Sequence, residues 1–342
     1  MAKGLRDLAS SNWAGLLVVD LVVGVVMSQA APAFLSTYNL YIVSRDVAVT
    51  LLVAFSQMIV MAMGHMNVSV GAIGGLVAIL VGAMMERLGL PIEMAVAAGV
   101  GLGVLAGVFN GGLTVATGIN SFIITLATSI MYLGINLGIT QGTPFYGLPA
   151  EVKSFGQART GAFPHLGIAT VLVTIFLAIF LNRTVLGRQI LAAGGNLKAA
   201  QLSGLPVTQA ALAAHGISGG LAGIAGMLLM ARLGSAQPTI GTDWVLASFA
   251  GPIIGGAVLS GGSVSVAGTT LAVVLIALIQ NALVLVNADP YWVQFLLGTL
   301  ILGGVAVGRI GAARGRASSR LPAGPGSGRA QQPGMAGGDG LR

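Results

Sequence analysis

Side chains that could carry acid–base, nucleophilic or metal chemistry are few in this chain and lie far apart. The 342 residues include nine Asp and Glu residues, three His residues and no Cys. Without cysteine there is no thiol nucleophile, no disulfide and no Cys-based metal site. His65, His165 and His215 fall in three separate segments, so their spacing does not favour a histidine metal site. We therefore expect this chain to bind no metal and no cofactor of its own.

Nucleotide hydrolysis and embedded acid–base catalysis also lack the residues they need. A P-loop requires a lysine directly after a glycine, and the three lysines of the chain (Lys3, Lys153 and Lys198) each follow another residue type. Paired carboxylates at helical spacing inside a hydrophobic run do not occur in the sequence. One acid, Asp20, falls inside such a run, either as a functional group or at the membrane interface near the basic N-terminus. The sequence thus predicts a conduit rather than an enzyme.

The composition is that of a polytopic membrane protein. Hydrophobic residues make up 55% of the chain and charged residues 7%, whereas soluble domains carry about 25% charged residues. The formal net charge of +7 could indicate nucleic-acid binding, but many of the arginines lie at or beyond the last hydrophobic run. That placement is typical of a cytoplasmic flank, and no nucleic-acid-binding module accompanies it. These arginines are Arg309, Arg314, Arg316, Arg320, Arg329 and Arg342.

Hydrophobic runs of about 20 residues, long enough to cross a bilayer, predict an all-α fold with about ten transmembrane helices. The eighth run is short and contains Pro252, so we expect a kinked or partly re-entrant span there. Glycines at every fourth position from Gly99 to Gly111 predict a helix-packing face. The predicted spans are 13–33, 46–63, 68–85, 91–116, 119–140, 164–181, 207–231, 244–259, 266–287 and 291–309.

The charges of the loops set the predicted topology. Lys3 and Arg6, the basic loop 182–206 and the basic C-terminal end are all expected in the cytoplasm, and an even number of spans allows this. The segments 141–163 and 231–243 then lie outside the cell.

The chain divides into a predicted transmembrane domain, 1–310, and a Gly-, Pro- and Arg-rich tail, 311–342. The tail has too little apolar surface to offset the entropy of ordering, so we expect a disordered cytoplasmic segment. Within the domain, residues 110–131 and 281–302 share a hydropathy pattern and run in opposite directions in this topology. This indicates either a weak inverted repeat, as in many transporters, or chance similarity between apolar helices.

A polar, basic segment stands between the sixth and seventh spans, with the sequence GRQILAAGGNLKAAQLSGLPV over residues 187–207. Asn196 follows two glycines and can cap a short helix over 197–203, which Gly204 and Pro206 would end. A loop needs no such start and stop signals, whereas a helix that docks on a partner does. The pattern predicts a short cytoplasmic helix within residues 187–206, with a simple ordered loop as the alternative.

The helical spacing of this segment also predicts its orientation. Leu191, Leu202 and Leu205 would pack, while Lys198 and Gln201 would face water.

The same segment resembles a known family. Its motif G-R-x-I-x-A-x-G-G-N-x-x-A-A-x-x-S-G, residues 187–204, is similar to the coupling-helix region of permease subunits of bacterial ABC importers for simple sugars, the ribose/xylose/arabinose/galactoside group. Residues 110–128 and 231–262 resemble two further signatures of that group. In these permeases the coupling helix inserts into a groove on a separate ATPase subunit. The resemblance assigns to that contact Gly194, Gly195, Asn196, Ala199, Ala200, Ser203 and Gly204.

The resemblance implies the rest of the machinery as well. ATP would be bound by the partner ATPase, an extracytoplasmic binding protein would deliver a simple sugar or sugar-like polyol, and a second permease chain, identical or different, would complete the assembly. The protein would be a multi-pass protein of the bacterial inner membrane. The alternatives are a branched-chain amino-acid ABC permease and an ion-coupled secondary carrier. The scarcity of embedded acids disfavours the carrier.

Three neutral residues depart from the pattern of this group. Asn67, within GHMNVSVG, stands where an aspartate is usual, and Val245 and Ala247 stand where acids are frequent. Their presence indicates a shifted substrate group or pairing with a different second chain, with tolerated drift as the alternative.

Neutral polar side chains within the hydrophobic runs are the predicted pathway residues. Amides donate and accept hydrogen bonds, as sugar hydroxyls do, but they also join transmembrane helices to one another, and this alternative stays open. The residues are Asn67, Ser69, Asn110, Asn120, Gln280 and Asn281.

Overall fold

The computed structural model describes residues 12–287 without a gap, and beyond them only isolated positions between 289 and 303. The predicted tail 311–342, together with Lys3 and Arg6, lies outside the described residues. The predicted tenth span, 291–309, is described only at those isolated positions. The second half of the suggested inverted repeat falls largely in the same stretch.

The described chain is all-α apart from one short hairpin, which confirms the predicted polytopic fold. The hairpin pairs β1 (Arg159–Thr160) with β2 (Phe163–Pro164) in antiparallel register. The helices are α1 (Asn12–Ala30), α2 (Thr37–Met61), α3 (Val70–Arg87), α4 (Ile92–Thr117), α5 (Ser121–Thr140), α6 (Ala150–Gln157), α7 (Leu166–Arg183), α8 (Val185–Gly195), α9 (Leu197–Leu202), α10 (Val207–Leu233), α11 (Trp244–Ile254) and α12 (Val266–Leu285).

Among the described residues, eight helices are long and apolar enough to cross a membrane. They are α1, α2, α3, α4, α5, α7, α10 and α12, and each overlaps a predicted span. The largest boundary error is at α2, which begins at Thr37 rather than near residue 46. Charged residues at its outer end lowered the local hydropathy. Asp46 forms an ion pair with Arg232 (2.5 Å), and the Arg45 guanidinium lies 5.2 Å from the centre of the Tyr41 ring.

The eighth predicted span is a broken helix. α11 contains Pro252 and ends after 11 residues at Ile254, and residues 255–265 continue without helical structure until α12 begins. This agrees with the kinked span expected from Pro252. A second non-helical stretch, residues 62–69, separates α2 from α3. We call residues 62–69 and 255–265 the first and second interruptions.

The connecting segments meet at two ends of the helix bundle. At one end Phe145 pairs with Ala236 through backbone hydrogen bonds, and the Gly147 amide donates to the Glu86 carboxylate (2.6 Å). At the other end the segment 184–205 contacts both interruptions. The two segments predicted to lie outside the cell therefore share one end, and the segment predicted to lie inside is at the opposite end.

α10 lies at the centre of the bundle and packs against α2, α3 and α4. Its contact with α4 depends on the predicted glycine face. A Cβ added at Gly103 would lie 2.6 Å from the Gly219 carbonyl oxygen, and one at Gly111 would lie 2.9 Å from His215 Cβ. The glycines at every fourth position of α4 thus predicted this helix-packing face correctly.

Candidate functional site

The segment 184–205, which the topology predicts to be cytoplasmic and which we call the cytoplasmic segment, consists of two short helices with side-chain caps. Thr184 caps α8 by accepting a hydrogen bond from the Gly187 amide (3.0 Å), and Asn196 caps α9 by accepting one from the Ala199 amide (3.0 Å). Gly204, with φ 73°, ends the turn after α9, and Pro206 precedes α10. The helix predicted over 197–203 is present as Leu197–Leu202 with the predicted cap and stop.

The orientation of α9 differs from the expectation at two positions. Leu202, expected to pack, is 90% exposed, whereas Ala200 is only 4% exposed and belongs to the hydrophobic core of this chain. A single turn of helix can be rotated by tertiary contacts, so its hydrophobic spacing alone did not fix its inner face. The exposed residues of α9 include the apolar Leu197 and Leu202 at its two ends, with Lys198, Ala199 and Gln201 between them.

The residues assigned to the ATPase contact by resemblance divide accordingly. Gly195, Asn196, Ala199, Ser203 and Gly204 are exposed. Gly194 is half-buried, and a Cβ at that position would overlap the carbonyl oxygen of Ala62. Gly194 and Ala200 thus contact this chain itself, while the other five are accessible. Their contact with an ATPase stays a prediction.

Three of the predicted pathway residues come together in a buried hydrogen-bonded cluster. The Ser69 hydroxyl donates to Asn67 Oδ1 (2.7 Å), and Asn110 Nδ2 donates to Ser69 Oγ (2.8 Å). Asn67 Nδ2 in turn donates to Ser218 Oγ (2.9 Å), which attaches the first interruption to α10. All four side chains are fully buried within the single chain. We call Asn67, Ser69, Asn110 and Ser218 the polar cluster.

The other three predicted pathway residues lie elsewhere. Asn120 is exposed and caps α5 by accepting a hydrogen bond from the Phe122 amide (2.8 Å). Asn281 and Asn39 exchange amide hydrogen bonds of 2.7 and 2.9 Å, which join α12 to α2. Gln280, next to Asn281 on α12, is half-buried. Two of these side chains thus have structural partners, and a role for any of them in transport stays a prediction.

α5 has an unusual distribution of polarity that the sequence analysis missed. All six of its buried residues carry polar side chains: Ser121, Thr125, Thr128, Tyr132, Asn136 and Thr140. Its exposed face is apolar. Ser121 Oγ accepts a hydrogen bond from the Met66 amide (2.9 Å), and Thr125 Oγ1 accepts one from the Val68 amide (3.0 Å). The polar face of α5 therefore satisfies backbone groups of the first interruption, as membrane depth requires.

The described residues also contain a contact between two histidines that the spacing did not predict, and a buried acid within a membrane helix. His65 Nδ1 and His215 Nε2 lie 3.2 Å apart and share a hydrogen bond, although the two residues are 150 positions apart in the chain. The described residues nevertheless contain no group of three or more metal-ligating side chains. Asp20 lies near the middle of α1, not at its end, and its carboxylate oxygens are buried without a hydrogen-bond partner among the described residues.

These observations define a class: a multi-pass membrane protein with interrupted membrane helices, which are typical of transporters, and an ordered helical segment between two of its membrane helices. Comparison with known proteins specifies it further. The profile described as the branched-chain amino acid transport system / permease component matches residues 39–305, and the chain belongs to this family.

Curated relatives cover most of the chain. The ribose import permease protein of Bacillus subtilis (strain 168) is 34% identical over 297 residues, 86% of this chain and 91% of the relative. The autoinducer 2 import system permease protein of Shigella flexneri is 31% identical over 83% of this chain and 84% of the relative. The D-allose transport system permease protein of Escherichia coli (strain K12) is 31% identical over 86% and 90%. No solved structure matches the chain.

Family membership and the apolar helices together make this chain a permease component of an ABC importer and a multi-pass protein of the bacterial inner membrane. The relatives are transport permeases, in line with the conduit expected from the sequence. An ion-coupled secondary carrier is a different class of transporter and is not supported by these relatives.

Proposed function

We propose that this chain moves a simple sugar or a sugar-like polyol across the membrane, that a separate ATPase subunit powers it, and that an extracytoplasmic binding protein delivers the substrate. A second permease chain completes the assembly. The observation that carries the proposal is α9, an ordered cytoplasmic helix whose exposed face is apolar at Leu197 and Leu202 (51% and 90% exposed). Exposed apolar residues on an ordered helix at a water-facing end favour a protein partner.

The position of α9 supports an ATPase as that partner. α9 and α8 lie between two membrane helices, α7 and α10, so a force on α9 acts on the membrane domain directly. Arg183, Arg188 and Lys198 surround the segment with positive charge, and none of them is buried. An ATPase groove with an apolar floor and acidic edges would complement this surface.

The polar cluster, although fully buried in this structure, supports a neutral substrate if the pathway opens beside it. Its hydrogen-bonding groups are amides and hydroxyls, whereas the carboxylate and ammonium of an amino acid need charged or dipolar partners. Asn67 keeps the cluster uncharged, because it stands where an aspartate is usual in the sugar-permease group and its Nδ2 donates to Ser218 Oγ. The names of the relatives, which include ribose and D-allose, support a sugar as well.

The family description names branched-chain amino acids, so the experiment compares the two substrate classes. The chain is reconstituted in liposomes with its ATPase and binding protein. Uptake of labelled ribose, D-allose, ribitol and leucine is measured one at a time, and then in competition with a 100-fold excess of each of the other compounds without label. We expect at least one of the two sugars or the polyol to be taken up, and leucine neither to be taken up nor to compete. Uptake of leucine with no uptake of any sugar or polyol would contradict the proposal.

A further inference from the structure

Four glycines bring the cytoplasmic segment into backbone contact with both interruptions. A Cβ at Gly261 would lie 2.6 Å from the Gly64 nitrogen and 2.7 Å from the Gly194 oxygen. A Cβ at Gly262 would lie 2.5 Å from Gly195 Cα, and one at Gly64 would lie 2.8 Å from the Ser260 oxygen. We call Gly64, Gly194, Gly261 and Gly262 the glycine junction.

The junction is held by geometry that side chains would not allow. Gly64, Gly261 and Gly262 have φ values of 74°, 91° and 82°, a backbone region that favours glycine. The Gly262 amide donates to the Ala62 oxygen (2.9 Å), so the two interruptions are also hydrogen-bonded to each other. Gly194, at the end of α8, lies against the same Ala62 carbonyl. Three segments that are distant in the sequence thus meet with no side chain between their backbones.

The first interruption connects this junction to the polar cluster. Gly64 is followed by His65, which contacts His215 of α10, and by Asn67, which is hydrogen-bonded to Ser218. The second interruption is anchored beyond the junction, because a Cβ at Gly255 would lie 2.5 Å from the Thr269 nitrogen of α12. Close-packed backbones cannot be compressed, so a displacement of α8 must move the segments that it touches.

We propose that the glycine junction is the contact through which movement of the cytoplasmic segment reaches the two interruptions, and that its glycines are positioning residues for transport. The proposal rests on the proposed function, since it takes the ATPase as the source of that movement. In this mechanism α9 receives the force, α8 carries it to Gly194, and the junction transfers it to the first interruption and so to the polar cluster. Coupling is then a property of backbone contact and not of a charged relay.

The test uses the absence of cysteine from the chain. Met66→Cys introduces one thiol into the first interruption at a half-buried position. In the reconstituted importer, a non-hydrolysable ATP analogue is bound to the ATPase. We expect this to change the rate at which a thiol reagent labels the cysteine of Met66→Cys by about fivefold or more, the lower range of allosteric coupling. Gln157→Cys, on α6 at the opposite end, should label at the same rate with and without the analogue.

Junction variants then show where the movement passes. Gly262→Ala, and separately Gly194→Ala, should abolish the nucleotide-dependent change at Met66→Cys and lower the substrate transported per ATP hydrolysed by about fivefold or more. Both should still co-purify with the ATPase, and ATP hydrolysis should continue. Gly101→Ala is the matched control, because a Cβ there meets nothing within 4 Å, and it should leave both measurements unchanged.

Two results would overturn the proposal. One is a Gly262→Ala importer that keeps the nucleotide-dependent labelling and the normal transport per ATP. The other is unaltered labelling of Met66→Cys by nucleotide in the otherwise native importer, which decides the question even where a junction variant does not fold. Failure of the native chain to co-purify with an ATPase would instead contradict the proposed function. Co-purification therefore distinguishes failure of the proposed function from failure of the junction proposal.

Discussion

At the scale of single residues, Ala199 and Ala200 are neighbours with opposite surroundings: Ala199 is exposed, and Ala200 is 4% exposed in the core of the permease. We expect Ala200→Trp to lower the free energy of unfolding of the chain by about 1–3 kcal/mol or more through overpacking. Ala199→Trp should leave that free energy unchanged and weaken ATPase binding. Thermal unfolding of the purified chain and ATPase co-purification measure the two effects. Equal destabilisation by both variants would contradict the observed orientation of α9.

Leu202 is the most exposed apolar side chain on α9, and we expect it to anchor the ATPase contact. Buried apolar anchors at interface centres commonly contribute about 2 kcal/mol or more, so Leu202→Ser should raise the dissociation constant for the ATPase at least about tenfold. Leu88→Ser is the control, because Leu88 is similarly exposed (71%) but lies at the opposite end of the bundle. Titration of the ATPase against each variant measures the two dissociation constants. Equal affinity for the two would exclude Leu202 as an anchor.

At the scale of elements, the polar face of α5 supports the first interruption. Thr125→Val keeps the shape of the side chain but leaves the buried Val68 amide without its side-chain acceptor, which should cost about 1–3 kcal/mol of unfolding free energy. Thr128→Val removes only a hydrogen bond to Thr125 within the same helix and should cost less. Denaturant titration in detergent compares the two variants. A larger loss for Thr128→Val would show that α5 does not support the interruption.

Local signals and tertiary contacts explain what the sequence could and could not predict. The cap at Asn196, the stop at Gly204 and the break at Pro252 are determined within a few residues, and each was predicted correctly. The inward position of Ala200 was not predicted, because it depends on contacts with the rest of the chain. The His65–His215 contact and the glycine junction join segments far apart in sequence, so no local sequence pattern predicts them. The polar residues of α5 recur at every third or fourth position. This pattern could have been read as a buried polar face of a membrane helix, and it was missed.

At the scale of the whole molecule, the two ends of the bundle predict how the chain lies in the membrane. Gln157 is on α6 at the end that holds 141–165, and Lys198 is exposed on α9 at the other end. Single cysteines at these positions should react from opposite sides of intact cells with a reagent that does not cross the membrane: Gln157→Cys readily, and Lys198→Cys only after permeabilisation. Reaction of both from the same side would refute this topology.

The central claim is that a separate ATPase subunit, and not an ion gradient, drives transport through this chain. The most direct measurement is uptake of labelled ribose, or of the sugar or polyol found in the competition assay, into liposomes that contain the chain, its ATPase and its binding protein. We expect uptake only when ATP and binding protein are both present, no effect of ionophores that collapse ion gradients, and no ATP hydrolysis by the chain alone. Uptake that persists without ATP and stops on addition of an ionophore would contradict the account.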